Sequence, residues 1–333
     1  MNRLEFAFAS DGDFEAVNTL RSGLSVSAIS RFYDSGRGTA RISGLSLHLR
    51  TGPVGLGKCR LYSYHDHPMI LETSLSGTTG MQLTNGDVIL DPNNRAVHTI
   101  TGGFDLYHNT MLAISEAWHL GAISNSVTLF SNAELRFDAP IEVAIPISAA
   151  EGGQLNTNTS GTVTLAQFVT GGETRKTGPG TLSVTGSGSQ SQERWLIQGG
   201  TLVAQEGSID SARITIEPGT TLRLASPATT TSISNRGVLD IDGFVLEVGA
   251  ADFTQSSTLI GDGELRVLGP YSRLTFLSQP AGVFNGFTGV LEAYEGIVEI
   301  NQLGLDSSMT LRANQPSSRF EFSSINLYRV GAL

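Results

Sequence analysis

The sequence predicts an all-β chain, a parallel β-helix with a smaller β-rich module at its N-terminus. Three observations carry that prediction. A short phrase, a Gly-bearing turn and then a strand anchored by Leu, recurs about every 20 residues over the later part of the 333-residue chain. Within each copy apolar and polar residues alternate with period two, which gives a strand one core face and one solvent face. The 39 glycines and 16% charged residues would suit a flexible polar tract, but 39% of the residues are hydrophobic and fall in short regular bursts that can build a core.

The copies read Gly178-Pro-Gly-Thr-Leu-Ser-Val184, Gly199-Gly-Thr-Leu-Val-Ala204, Pro218-Gly-Thr-Thr-Leu-Arg-Leu224, Arg236-Gly-Val-Leu-Asp-Ile241, Gly261-Asp-Gly-Glu-Leu-Arg-Val267 and Gly286-Phe-Thr-Gly-Val-Leu-Glu-Ala293. Their leucines, 182, 202, 222, 239, 265 and 291, stand 20, 20, 17, 26 and 26 residues apart, about one solenoid coil each, with the last two coils enlarged by insertions. Leu222 and Leu224 oppose Thr221 and Arg223, and Leu239 with Ile241 opposes Asp240 with Asp242. Similar phrases at Val127–Leu129, Glu134–Phe137 and Gly161–Leu165 extend the pattern upstream. A propeller needs a blade of roughly 40 residues, and a sandwich has no reason to restate one phrase at half that length.

The stretch Gly161-Thr-Val-Thr-Leu-Ala-Gln-Phe-Val-Thr-Gly-Gly-Glu-Thr-Arg-Lys-Thr-Gly-Pro-Gly-Thr-Leu-Ser-Val-Thr-Gly186, followed by Gly199-Gly-Thr-Leu-Val-Ala-Gln-Glu-Gly207, resembles the passenger-associated repeat of bacterial autotransporter adhesins. The resemblance is close over 161–207 and loose over 126–300, and it implies a right-handed parallel β-helix without implying a substrate. Two features depart from that family. Met1–Asp11 carries an acid at position 5 and no apolar run of the kind a secretory signal needs, and Tyr328–Leu333 closes without a barrel region. Those departures turn the expectation towards bacteriophage virion proteins that use β-helices: tail fibres, tailspikes and head decoration proteins.

Residues 1–104 read differently from 105–333 and are expected to form a capping or attachment module, because an open solenoid end exposes its core. Leu4, Phe6 and Phe8 alternate like a strand; Asp13 suits the N-cap of a short helix carrying Phe14, Val17 and Leu20; Ile42–Leu49 is strand-like. All six histidines fall between residues 48 and 119.

The net charge of −10, with only two lysines, Lys58 and Lys176, among 21 basic residues, argues against nucleic acid as a partner. A single cysteine, Cys59, excludes an internal disulfide and a cysteine-based zinc cage. No stretch approaches the roughly 20 apolar residues of a membrane-spanning helix.

Four motifs invite a chemical reading. Gly52-Pro-Val-Gly-Leu-Gly-Lys-Cys59 has the glycines and lysine of a phosphate-binding loop, but Cys59 replaces the hydroxyl that holds magnesium, and Arg60–Pro68 is strand-like where a helix N-terminus is needed. His65 and His67 share a strand face at a spacing that suits zinc or nickel, with further ligands to come from His48, His98, His108 or His119; a polar strand edge or turn before Pro68 is the preferred reading. The pairs Asp240/Asp242 and Glu292/Glu295 fit the acid and base of a tailspike glycosidase, but the solvated face of an alternating strand explains both without catalysis. Trp118, Trp195, Tyr271 and Tyr294 make a sugar-binding strip only if they share one exposed face.

No catalytic, metal or cofactor residue is therefore assigned, and no cofactor is expected. The expected function is a non-enzymatic structural or adhesive surface protein of a virion, attached through residues 1–104 and assembled as a homo-oligomer, a trimer by preference, with cell-surface polysaccharide as a further partner. A passenger domain on a bacterial surface and a tailspike depolymerase are the competing expectations.

Overall fold

A computed structural model of the chain describes residues 68–90, 98–149, 152–186, 194–254, 257–276, 284, 286–301 and 308–323. It also gives the backbone of six earlier strands, Arg3–Phe8, Ala16–Leu20, Leu24–Val26, Ala28–Asp34, Ala40–Leu49 and Lys58–Ser63. The fold is all-β: parallel strands stack coil upon coil into a β-solenoid. Among the described residues the one helical turn is Ala117–Leu120, and no helix is long and apolar enough to cross a membrane. The chain divides into two units, Met1–Val169 and Thr170–Leu333.

In the first unit one ladder runs through Arg3–Phe8, Ala28–Asp34, Lys58–Ser63, Gly80–Thr84, Phe104–Tyr107, Val127–Leu129 and Ile147–Ala149, every pair parallel. Met81, Phe104, Val127 and Ile147 are successive partners in it and all are 0% exposed, so each coil seals the core of the one before. A second ladder passes from Ala40–Leu49 through Met69–Gly77, Asp87–Leu90, Met111–Ile114 and Glu134–Phe137 to Gly153–Thr157.

Parallel pairing thus lies on both sides of residue 105, and the strands before it have the same geometry as the strands from Met111 to Thr157. The segment expected to carry Val17 and Leu20 on a helix is extended instead: Ala16–Leu20 is a strand in register with Ala40–Gly44. Seven residues form barely two helical turns, too few to repay nucleation, whereas a neighbouring strand supplies backbone partners at once.

In the second unit the leucine anchors separate into two ladders. Leu182, Leu202, Leu222, Leu239 and Leu259 are successive partners on one sheet face, spaced 20, 20, 17 and 20. Leu246, Leu265, Leu291 and Leu311 are partners on another, spaced 19, 26 and 20. The expected 26-residue coil from Leu239 to Leu265 does not exist: those two leucines belong to different faces, and a period count cannot tell one face of a coil from the next. Each fully buried leucine contributes on the order of 2 kcal/mol, so these columns supply much of the unit's stability.

Two strands break the regular path. Ala228–Asn235 and Val245–Phe253 are long enough to pair twice over. Val245–Val248 continues into Glu264–Val267, Ala250–Phe253 continues into Arg273–Phe276, and a turn with Gly269 at φ +97° separates the two continuations. At the stacked turns Gly263 and Gly289 a Cβ would lie 1.9 Å from the carbonyl oxygens of Ile241 and Gly263 respectively, so close coil contact there admits only glycine.

Candidate functional site

The residue that comes after each leucine of the second ladder points outward, because side chains alternate along a strand. Those residues are Glu247, Arg266, Glu292 and Arg312, in direct register from coil to coil. Parallel strands lie roughly 4.8 Å apart, so opposite charges meet at every step of the column.

Arg266 sits at the centre. Its guanidinium donates to Glu247 Oε1 at 2.9 Å, to Glu264 Oε1 at 2.9 Å, and to Glu292 Oε2. Arg312 reaches Glu264 at 3.7 Å and Glu292 at 3.6 Å, and Asn314 Nδ2 donates to Glu292 Oε1. The Tyr294 ring lies 5.6 Å from the Arg266 guanidinium carbon. Glu292 is wholly covered, with 0% of its side chain exposed.

Three carboxylates thus face two guanidinium groups. Burial pushes the Glu264 carboxyl above its ordinary range, and the neighbouring Glu292 carboxyl pushes the same way. Burial acts against the Glu292 charge too, but Glu264, Arg266 and Arg312 outweigh it and hold that carboxyl low. Burial likewise opposes the charge on Arg266, and its bonds to Glu264 and Glu292 hold the cation above its usual range.

At the start of this column the strand segment Ala228–Thr230 meets a turn instead of a preceding strand. Ser211, at φ +61°, donates its N–H to the Thr229 carbonyl at 2.7 Å, and Asp210 Oδ1 accepts the Thr229 N–H at 3.0 Å. Thr229 Oγ1 in turn donates to Glu247 Oε2 at 3.1 Å. These groups border a recess of about 290 Å³ lined by Asp210, Pro227, Ala228, Thr229, Val245, Glu247 and Arg266.

No known protein family, characterised protein or solved structure matches this chain.

The sequence-derived candidates fall in scattered places. Lys58 and Cys59 begin the strand Lys58–Ser63, whereas a phosphate-binding loop requires a helix there; Gly52–Gly57, His65 and His67 lie outside the described residues. Asp240 Oδ1 accepts the Asp242 N–H at 3.2 Å, a turn contact that needs no substrate. Glu292 pairs with Arg266 from the adjoining coil, while Glu295 stands beyond the strand. Trp195 is buried in the core, Tyr271 is 97% exposed and Tyr294 is half-buried under Arg266, so within the second unit the aromatics form no strip. Trp118, in the first unit, packs against His98 and His119.

Two buried groups carry no signal in the sequence pattern. His98 and His119 lie 5.7 Å apart between ring centroids, His98 Nδ1 accepts the Leu75 N–H at 2.9 Å, and burial together with His119 lowers its pKa to about 4. Lys176 is 0% exposed and donates from Nζ to the carbonyls of Thr177, Gly178 and Gly199 at 2.8, 2.9 and 2.7 Å; burial lowers its pKa to about 8. Among the described residues no group of three or more His, Cys, Asp or Glu is placed to hold a metal ion.

Proposed function

We propose that this chain is a non-enzymatic structural or adhesive surface protein whose stacked coils present their outer faces to other molecules. The observation that supports this most is the covered carboxylate of Glu292. The glycosidase reading needs two carboxyl groups separated by roughly 5–10 Å with a sugar between them. Glu292 has no exposed surface, Arg266, Arg312 and Asn314 occupy its oxygens, and the two guanidinium groups tie it to Glu264 of the adjoining coil. A carboxylate so placed stiffens a surface and does not attack a substrate.

Within that reading the chain is a virion component, held to the particle through residues 1–104 and assembled as a homo-oligomer. The enzymatic half is tested by incubating the chain with surface polysaccharide and following oligosaccharide release. No release is expected; release abolished by Glu292→Gln or Asp240→Asn defeats the proposal. Its location is tested by mass spectrometry of purified virus particles alongside bacterial envelope fractions. Recovery from the envelope alone assigns the chain to a bacterial surface instead, and sedimentation of the native chain checks the trimer.

A further inference from the structure

We propose that the recess bounded by Asp210, Thr229 and Glu247 is a binding site for a single pyranose ring that carries no acidic substituent. This rests on the adhesive reading above and names its ligand class.

The recess arises from a change in path. The coil before Ala228–Thr230 supplies no strand over that segment, and the turn that carries Asp210 takes its place. A step is left on the outer sheet face. Its volume, about 290 Å³, sits at the lower end of small-molecule sites and suits one sugar ring. Pro227 and Val245 give it an apolar floor on adjoining coils, since Val245 stands one place before Leu246, the register partner of Ala228. A pyranose ring presents a matching C–H face.

Its rim is polar and already ordered. Asp210 Oδ1 accepts the Thr229 N–H, Thr229 Oγ1 donates to Glu247 Oε2, and Glu247 Oε1 accepts from Arg266. Each of these side chains has its orientation set before a ligand arrives, which lowers the ordering cost of binding. The rim's own polar groups are mainly acceptors, which suits ligand hydroxyls as donors. The guanidinium in the lining is shared among Glu247, Glu264 and Glu292, so a carboxylate or phosphate on the ligand would face Asp210 and Glu247 without a cation to offset them. Hence neutral and amino-bearing rings are admitted and acidic ones rejected.

Saturation-transfer NMR on the full chain tests this with methyl glucopyranoside, methyl mannopyranoside, N-acetylglucosamine, glucuronic acid and N-acetylneuraminic acid as probes. Transfer is expected to at least one of the first three and weaker transfer to the two acids. Losing one rim hydrogen bond weakens binding about five-fold, so Asp210→Ala should lower the signal by about that factor. Val245→Trp fills the floor from the outer face and should abolish it, with thermal midpoints of both variants near wild type. No transfer to any non-acidic ring, stronger transfer to the acids, or signals equal to wild type in both variants overturns the site. Cell adhesion separates the two claims. Cell adhesion with no sugar transfer overturns the site and leaves the adhesive reading standing, whereas sugar binding without adhesion to any cell keeps the site and removes the adhesive reading.

Discussion

Arg266 and Glu292 face each other from adjoining coils, 26 residues apart in sequence, and the guanidinium that bonds Glu292 also bonds Glu247 and Glu264. Its removal leaves three carboxylates together, one of them fully covered. Arg266→Ala is therefore expected to cost on the order of 3–5 kcal/mol, the usual penalty for stranding a buried partner. Replacing both members with apolar residues, Arg266→Met with Glu292→Leu, should recover most of that loss, because the desolvation of both charges disappears with them. Urea unfolding followed by Trp195 fluorescence checks both; a single variant as stable as wild type would show that the ladder does not hold the coils.

The same cluster fixes a pH dependence with two limbs. Glu264 has a folded pKa above its unfolded value, so its contribution is complete below the unfolded pKa and fades as pH rises through the folded one. Glu292 is the reverse: its folded pKa is depressed, and its contribution is present above the unfolded pKa and lost as pH falls through the folded value. Thermal midpoints plotted against pH should form a dome. Glu264→Gln keeps the shape of the side chain but cannot ionise, so it should flatten the upper limb and leave the lower one; an unchanged upper limb would show that another group produces it.

His98 adds an acid-sensitive element in the first unit. Its pKa falls from 6.5 to about 4 through burial and the neighbouring His119, so the unfolded chain binds a proton that the folded chain refuses between those values. Stability is complete above pH 6.5 and drains away towards pH 4, by about 3 kcal/mol over the whole window. His98→Gln retains an acceptor for the Leu75 N–H and does not titrate. Its unfolding midpoint should vary less with pH across that interval, and a variant as acid-sensitive as wild type would assign the effect elsewhere.

The parallel coils were legible because a period-two alternation repeated about every 20 residues has few other physical outcomes. The face on which each leucine lies was not. Leu239 and Leu265 carry the same local phrase, and only strand pairing shows that Leu239 continues to Leu259 and Leu265 descends from Leu246. Once the two ladders are separated, the ion-paired column becomes readable: the residue after Leu246, Leu265, Leu291 and Leu311 is Glu, Arg, Glu, Arg. His98 and His119 are 21 residues apart in the sequence, and no alternation marks two buried imidazoles as neighbours. The recess was equally hidden, since it depends on a turn lying where a strand would otherwise run.

Lys176 occupies a core position on the strand Glu173–Thr177, where the alternation calls for an apolar residue, and its ammonium closes over three turn carbonyls. Lys176→Met keeps the length of the side chain and leaves the carbonyls of Thr177, Gly178 and Gly199 without that donor. Orphaned buried acceptors cost about 1–3 kcal/mol each, and partial relaxation of the turn should bring the total loss at pH 7 to roughly 2–4 kcal/mol. The sign with pH matches that of His98, at the alkaline end. Between about 8 and 10.5 the unfolded chain keeps a proton that the folded chain has shed, so wild-type stability rises through that interval, and the variant lacks the rise. The gap between the unfolding midpoints of the two proteins should therefore widen as pH increases from 8 towards 10.5; a gap that stays constant would mean that Lys176 remains charged throughout and that its three carbonyl partners outweigh the burial that lowers its pKa.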